Sequence, residues 1–248
     1  MPSNHIIANE NSVTGIVVTN WNRLPITQKS LESLVANTVP KHRTVVIDNG
    51  TTDDFDIIEG VEVYRAHKYS PTTHEFLGSL LENGSLTYVL RDARNYGLGF
   101  ARNVGVSILN THCDYLGFKK PDFVLIADSD IFYPEGWLEY TYSLWNDISI
   151  PYNLGAIMFS VCREHMVRNM VEHMGKTSFI KNPCAGNAIF MPTDLFLELG
   201  QFPHNMIIGN EDWELCRKLK EANYNILNCE YLLQHIGKGH SLWLGAGK

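Results

Sequence analysis

The sequence predicts an α/β domain in which helices flank a mostly parallel central sheet. Short apolar runs rich in β-branched residues, such as 15–19 and 44–47, alternate with segments of helical periodicity. A strand, a helix and a strand in succession imply a right-handed parallel crossover. Because the 248 residues contain no linker, low-complexity tract or internal repeat, we expect a single domain over 1–248.

The strands are located by short apolar or alternating runs bounded by turn residues. They are predicted at 15–19, 44–47, 61–64, 87–90, 123–127, 154–161, 184–191 and 224–227. The run at 61–64 is predicted as the third strand in chain order. Residues 66–86 carry a weaker pattern.

The helices are located by apolar residues three and four positions apart. The first follows Pro25, which suits an opening helical turn, and stops before Pro40. Others are predicted at 75–81, 137–145, 163–176, 194–199 and 212–222, and a further one follows the segment 94–105 and ends at about 110. Within 163–176, methionines at 166, 170 and 174 form a four-residue stripe, typical of a helix face that packs on a core.

The composition excludes several classes of protein. A net charge of −7 argues against nonspecific binding of nucleic-acid phosphates, so no nucleic-acid partner is expected. The five cysteines form no Cys-x-x-Cys pair, which indicates free thiols in a reducing compartment. The first twelve residues lack the apolar core of a signal peptide, and no stretch approaches the roughly 20 apolar residues of a membrane span. We therefore expect a cytoplasmic protein without a transmembrane segment.

Two carboxylates close the strand at 123–127. Asp128 and Asp130 follow it one residue apart, with Ser129 between them. In an open α/β sheet, ligands gather at the carboxyl ends of the strands. Carboxylate oxygens suit a hard divalent cation, and Mg²⁺ commonly binds one or two of them together with substrate phosphates. The alternative is an acidic turn without a ligand.

Further polar clusters follow other predicted strands or open a helix. They are Thr19, Asn22 and Arg23, then Asp48, then Arg102 with Asn103. Asp48 and the early turn suit a base and ribose, whereas Arg102, near a helix start, suits a phosphate. Arg102 also occupies the third glycine position of a dinucleotide-binding fingerprint, which argues against hydride transfer. The P-loop, His-Glu-x-x-His and Gly-x-Ser-x-Gly motifs are absent from the sequence.

A second acidic pair opens the last predicted helix. Glu211 and Asp212 are favoured there by the helix dipole, which is a sufficient structural explanation. However, Trp213 follows them directly, and an aromatic plate beside a carboxylate suits a sugar. The ring stacks on the apolar face of the sugar while the acid accepts a hydroxyl proton.

These motifs, in this order and spacing, resemble the nucleotide-sugar glycosyltransferases of the GT-A fold, most closely the large inverting family 2. The resemblance covers about 13–241. The segments that carry it are Val17 to Arg23, Val46 to Asp53, Arg94 to Asn103, Asp128-Ser-Asp130, Gly186-Asn187, Glu211-Asp212 and His235-Ile-Gly237.

The resemblance implies a GT-A (Rossmann-like) fold and metal-dependent transfer of a sugar, of hexosyltransferase type, to a glycan or other acceptor hydroxyl with inversion. It implies a nucleotide-binding half at about 13–133, for which a UDP-sugar donor is favoured, and an acceptor-binding half at about 134–241. The implied site residues are Asp128 and Asp130 for Mn²⁺ or Mg²⁺, with His235 or His240 as a further ligand, Asp212 as base, and Gly186, Asn187, Glu211 and Trp213 for substrate.

Two other functions remain open at this level. A sugar-nucleotide-forming nucleotidyltransferase would use a related sheet, but it normally has a Gly-rich loop after the first strand, and residues 19–25 contain no glycine. A noncatalytic nucleotide- or sugar-binding module would not need the second acidic pair. Retention of configuration is the alternative outcome if Asp212 does not stand behind the sugar. Residues 66–86 resemble an insertion relative to the family.

Overall fold

The computed structural model describes residues 6–39, 41–52, 55–58, 61–64, 71–113, 115, 117–159, 167–181, 186–203 and 211–236. Its strands are β1 (Thr14–Asn20), β2 (His42–Asp48), β3 (Phe55–Ile58), β4 (Val61–Tyr64), β5 (Tyr88–Arg91), β6 (Phe123–Asp128), β7 (Ile131–Phe132), β8 (Leu154–Phe159), β9 (Val167–His173), β10 (Lys176–Lys181), β11 (Ala188–Pro192), β12 (Asn225–Asn228) and β13 (Gln234–His235).

The helices lie between these strands. They are α1 (Leu24–Asn37), α2 (Thr73–Glu82), α3 (Leu98–Thr111), α4 (Trp137–Ile148), α5 (Thr193–Glu198) and α6 (Glu211–Glu221). Pro25 lies in the first turn of α1, as predicted, because its missing N–H has no helical partner there. Over the described ranges, none of the helices has both the length and the apolar character needed to cross a membrane.

A nine-stranded central sheet has the order β5-β2-β1-β6-β11-β8-β12-β10-β9. Strands β10 and β11 run opposite to the others, so the predicted mostly parallel sheet is confirmed. Parallel register pairs Asn20 with Asp48, Asp48 with Arg91, and Thr19 with Asp128. The carboxyl ends of β1, β2, β5 and β6 therefore lie along one edge of the sheet.

Apolar side chains cover both faces of this sheet. Helices α1, α2 and α4 contribute to the cluster on one face, and α3, α5 and α6 contribute to the cluster on the other. The first five residues of β6 are buried, which explains why its sequence is a continuous apolar run rather than an alternating one. The α/β architecture predicted from the sequence is thus confirmed.

Two predicted elements differ from the structure. The strand at 61–64 exists, but as β4 it pairs antiparallel with β3 in a separate hairpin, and β5 takes the place beside β2. The helix predicted at 163–176 is wrong, because β9 and β10 form an antiparallel hairpin there. Met174 and Gly175 have positive φ angles and form the turn, as in tight hairpins.

The methionine spacing explains this second error. A spacing of four residues is close to one helical turn but is also a multiple of the strand period. Met170 and Met174 are exposed, so neither belongs to a core stripe, and Met166 lies outside the described residues. The strand predicted at 184–191 begins at Ala188 in the structure, and residues 182–185 are not described.

We expect Gly105→Ala to lower the free energy of unfolding. A Cβ at Gly105 would lie 2.3 Å from Cγ1 of Val17, which is fully buried in β1, so α3 would have to move away from the sheet. Overpacking of this kind typically costs about 1–3 kcal/mol. Urea titration of the wild-type and variant proteins measures the loss.

Gly78→Ala in α2 is the matched control. A Cβ there would meet no atom of the described residues within 4 Å, so the change replaces one helical glycine without a steric cost from them. Its stability should be unchanged or higher by up to about 1 kcal/mol. Equal effects of the two substitutions would contradict the close packing of α3 on β1.

Candidate active site

A cleft of about 400 Å³ opens at the carboxyl edge of the sheet. It lies where β1, β2 and β6 end, because their register brings their last residues together. Its lining residues are Thr19, Asn20, Trp21, Asn22, Arg23, Asn49, Asn95, Leu98, Asp128 and Ser129. Asp128 and Ser129 of the acidic turn and the segment after β1 thus share one surface, with Asp130 buried behind it.

The turn after β1 has an unusual backbone. Asn22 and Arg23 both have positive φ angles near 60°, a conformation that is uncommon for residues with a side chain. The turn is held by hydrogen bonds from Asn22 N to Thr51 Oγ1 (3.0 Å) and from Thr52 N to Asn22 Oδ1 (2.7 Å). This backbone directs the Arg23 side chain to Asp130.

Asp130 is the buried end of the acidic turn formed by Asp128, Ser129 and Asp130. Its side chain is only 4% exposed, and its Oδ2 is 2.9 Å from Arg23 Nη2 and 3.1 Å from His235 Nε2. His235 reaches it because β13 pairs with β7, which places His235 opposite Ile131. The other oxygen, Oδ1, is buried without a hydrogen-bond partner in the described part of the chain.

These contacts shift the pKa values of Asp130 and His235 in opposite directions. Burial alone would raise the pKa of Asp130, but the bonds from His235 and Arg23 outweigh it and lower that pKa. The hydrogen bond to Asp130 raises the pKa of His235, against the opposing effect of burial. Asp130 is therefore ionised over the physiological range, and within the described residues one of its oxygens accepts no hydrogen bond.

Arg102 connects the two acidic pairs. It lies in the second turn of α3, and its side chain is 1% exposed. Its Nη2 is 2.9 Å from Asp128 Oδ1, while its Nη1 is 2.8 Å from Asp212 Oδ1 and 3.4 Å from Glu211 Oε1. The end of β6 and the start of α6 are thereby joined through one guanidinium group.

Arg102 and its carboxylate partners shift one another's pKa values. Burial works to lower the pKa of Arg102, but the charges of Asp128, Asp212 and Glu211 outweigh it and raise that pKa. Burial raises the pKa of Asp128 to about 6, supported by Asp130 and Asp212 and opposed by Arg102. Asp128 is consequently mainly ionised at pH 7.

The start of α6 contacts the segment that precedes β11. Gly186 N donates to Asp212 Oδ2 at 3.2 Å, and Asp128 N donates to the carbonyl oxygen of Asn187 at 2.9 Å. The antiparallel direction of β11 brings this segment to the same edge, since Ala188 pairs with Ala127. Trp213, in the first turn of α6, is 46% exposed.

The residues at the acidic turn fit a divalent cation by chemistry and charge. Four carboxylates, those of Asp128, Asp130, Glu211 and Asp212, face two guanidinium groups, so two negative charges remain when His235 is neutral. The carboxylate oxygens suit Mn²⁺ or Mg²⁺, and the imidazole of His235 adds a nitrogen donor beside Asp130. Among the described residues, no group of three such side chains is already arranged as a metal site, and both aspartates are paired with arginines.

Three predicted ligand-binding residues are directed into the protein instead. Asp48 is fully buried and binds Asn20 Nδ2 at 3.0 Å and the hydroxyl of Thr51, so it supports the cleft from beneath. Asn103 exchanges two hydrogen bonds with the backbone of Phe202. Arg102 binds carboxylates, as described above, rather than facing the cleft. In each case the helix or strand position is as expected, but the side chain points to the interior.

Four other residues of the cleft were not named as candidates from the sequence, although one of them, Trp21, lies within the predicted turn at 19–23. Trp21, Asn49, Asn95 and Leu98 line the cleft. Asn49 Nδ2 donates to Asn95 Oδ1 at 2.9 Å, and Asn49 Oδ1 accepts from Tyr96 N at 3.0 Å. The sequence contains a signal for Asn49 and Asn95 as cleft residues, because Asn49 follows Asp48 directly and Asn95 precedes the Gly97 turn. His240, the alternative to His235, lies outside the described residues.

Three solved structures illustrate the similarity of this fold to others. S. aureus TarS matches 93% of this chain and 38% of its own, with 14% identity and a TM-score of 0.58. GalNAc-T7, solved with UDP, GalNAc and Mn²⁺, matches 92% and 45%, with 16% identity and a TM-score of 0.63. The mannosyltransferase PcManGT of Pyrobaculum calidifontis, solved with GDP-Man and Mn²⁺, matches 88% and 55%, with 15% identity and a TM-score of 0.57.

These similarities establish a GT-A fold, and the chain spans less than two thirds of each of the three proteins. A search of curated proteins finds no match. A family model described as "Glycosyl transferase family 2" matches residues 15–160, which is more than half of the chain and includes the whole acidic turn. The chain belongs to glycosyl transferase family 2.

Proposed function

We propose that this protein is a metal-dependent glycosyltransferase that moves a hexosyl group from a nucleotide-diphosphate sugar to an acceptor hydroxyl, with inversion. The observation that carries the proposal is the meeting of two acidic pairs, Asp128/Asp130 and Glu211/Asp212, beside one cleft. Binding of a nucleotide alone would require only the first pair. The second pair lies where a sugar acceptor could approach, beside the exposed ring of Trp213.

The donor occupies the cleft in this proposal, with the nucleotide-binding half at about 13–133. Trp21, which is 48% exposed, offers an aromatic face to a base, and Asn49 and Asn95 offer polar groups. Arg23 at the cleft edge is suited to a diphosphate. A UDP-sugar is favoured, in line with the UDP bound by GalNAc-T7 and the UDP and UDP-GlcNAc bound by TarS.

Asp128, Asp130 and His235 would hold the divalent cation. When bound, it would supply positive charge to the diphosphate leaving group. Arg23, which pairs with Asp130 at the cleft edge, would offer its guanidinium group to the diphosphate. His235 remains within reach of Asp130 because the β13–β7 pairing fixes its backbone.

The acceptor is activated by Asp212, in the acceptor-binding half at about 134–241. Its carboxylate takes the proton of the acceptor hydroxyl, whose oxygen forms a bond to the anomeric carbon of the donor sugar. The bond from that carbon to the diphosphate breaks, and its electron pair leaves with the nucleotide. Trp213 stacks on a sugar ring, while Glu211, Gly186 and Asn187 position hydroxyl groups by hydrogen bonding.

A donor screen tests the reaction class. Purified protein with Mn²⁺ should slowly hydrolyse one member of a panel of UDP- and GDP-sugars and release the nucleotide diphosphate. Release of pyrophosphate from a nucleoside triphosphate and a sugar phosphate would instead identify a nucleotidyltransferase. Binding without turnover for every donor and acceptor supplied would indicate a noncatalytic module.

Asp130→Asn should abolish cation-dependent nucleotide binding. The amide keeps the shape of the side chain but removes the charge that a cation requires. Calorimetry with UDP or GDP should show weak nucleotide binding by the wild type and by Asp130→Asn when Mn²⁺ is absent. Adding Mn²⁺ should raise the nucleotide affinity of the wild type only. Asp194→Asn is the control and should behave as wild type. Asp194 is exposed on α5, where it pairs with Lys120. Unchanged Mn²⁺ dependence in Asp130→Asn would exclude this site.

Trp21→Ala should weaken nucleotide binding while Trp213→Ala should not. Loss of base stacking on an aromatic ring typically reduces affinity by about ten- to a hundredfold. Both rings are similarly exposed, so the pair separates donor from acceptor contacts. In steady-state kinetics, Trp213→Ala should instead raise KM for the acceptor. The assignment of the two halves fails if the two variants show the reverse pattern.

Asp212→Asn should lose most of the transfer activity and retain nucleotide binding. General-base catalysis contributes about 10²–10⁴-fold, and kcat should fall on that scale. Glu214→Gln, two residues further along α6 and paired with Arg217, is the matched control and should keep normal turnover. Proton NMR of the product should show an inverted anomeric centre. A retained configuration, or near-normal turnover in Asp212→Asn, would exclude Asp212 as the base.

A further inference from the structure

We infer that Arg102 is a positioning residue with two opposed effects: it orients Asp212 for catalysis and it competes with the cation for Asp128. The inference rests on the proposed function for the catalytic effect only. The second effect concerns cation binding, which can be measured without any substrate. Arg102 would therefore raise the rate of transfer while lowering the affinity for the cation.

Arg102 acts through other residues because it cannot reach a ligand. Its side chain is 1% exposed, and its guanidinium carbon lies 5.3 Å from the centroid of the Phe202 ring. Its Nε is buried without a hydrogen-bond partner in the described ranges. The three carboxylate partners and the Phe202 ring thus set the orientation of the guanidinium group. The Nε–H contributes no hydrogen bond to this orientation within the described residues.

The orientation of Asp212 follows from two donors. Arg102 Nη1 binds Oδ1 at 2.8 Å, and the backbone N–H of Gly186 binds Oδ2 at 3.2 Å. Two donors, one on each oxygen, restrict rotation of the carboxylate plane. Since the guanidinium is a rigid planar fork, it also sets the distance between Asp212 and Asp128. A proton acceptor that is fixed relative to the donor site is what general-base catalysis requires.

Competition for Asp128 follows from the same geometry. Oδ1 of Asp128 accepts a charged hydrogen bond from Arg102 Nη2 at 2.9 Å. A cation that binds this oxygen must weaken that bond, and it must also approach a buried positive charge. Lysine could not reproduce the arrangement, because a single ammonium group does not form the planar fork that spans two carboxylates.

The test measures Mn²⁺ affinity and turnover in the same variants. Arg102→Met removes the charge and keeps much of the side-chain volume. Calorimetry with Mn²⁺ alone should show about ten- to a hundredfold tighter binding, the worth of one charged hydrogen bond. Turnover with donor and acceptor should fall by about a hundredfold, as expected for a misplaced catalytic group. Donor KM should change less than kcat.

Arg217→Met is the matched control. Arg217 lies on α6, the same helix as Asp212, and pairs with Glu214 and Glu221, but at the protein surface. Its loss should change neither Mn²⁺ affinity nor turnover. Arg102→Lys covers the case in which Arg102→Met does not fold. It keeps a positive charge, so Mn²⁺ affinity should stay close to wild type while kcat falls by at least about tenfold.

The opposite signs separate positioning from a merely structural role. A structural role would lower Mn²⁺ affinity and turnover together, in proportion to the folded fraction seen by circular dichroism, and would overturn the inference. So would near-normal kcat in Arg102→Lys, or no Mn²⁺ binding in either the wild type or Arg102→Met. If the wild type transfers no sugar but Arg102→Met binds Mn²⁺ more tightly, the proposed function fails and the competition at Asp128 stands.

Discussion

Compensation of charge by Arg102 holds together the parts of this site. Four carboxylates converge at one edge of the sheet, and three of them bind this one guanidinium. Carboxylates brought so close would repel one another and resist burial without a counter-charge. Breaking a buried ion pair is costly because it strands the remaining charge, whereas surface pairs such as those of Arg217 contribute little. This contact joins the start of α6 to the end of β6.

The sheet supplies the rest of the arrangement. Parallel register brings the last residues of β1, β2 and β6 to one edge, and the reversed direction of β11 adds a loop from the other half of the chain. Beneath the cleft, the buried carboxylate of Asp48 orients Asn20 and Thr51, and Thr51 in turn supports the turn at Asn22. The cleft is thus built on a layer of buried, hydrogen-bonded polar groups.

The sequence predicted which segments meet at the cleft, but not which side chains line it. Strand ends are visible as apolar runs that stop at polar residues, so Asp128 and Asp130 could be found from local pattern alone. Whether Arg102 points into the cleft or the interior depends on Asp212, which lies 110 residues away in the sequence. Local periodicity carries no information about such a partner. The hairpin of β9 and β10 was missed for a related reason, since methionines four apart satisfy both helix and strand periods.

The long sequence separations across the site have a consequence for folding order. The Arg23–Asp130 and Arg102–Asp212 contacts join residues 107 and 110 positions apart, and His235 returns from near the end of the described chain to reach Asp130. Non-local contacts of this kind form late, because the entropy of closing long loops must be overcome first. During synthesis, the acidic turn emerges well before α6 and His235 do. The nascent chain therefore carries Asp128 and Asp130 before it carries α6 and His235, which complete the contacts around them.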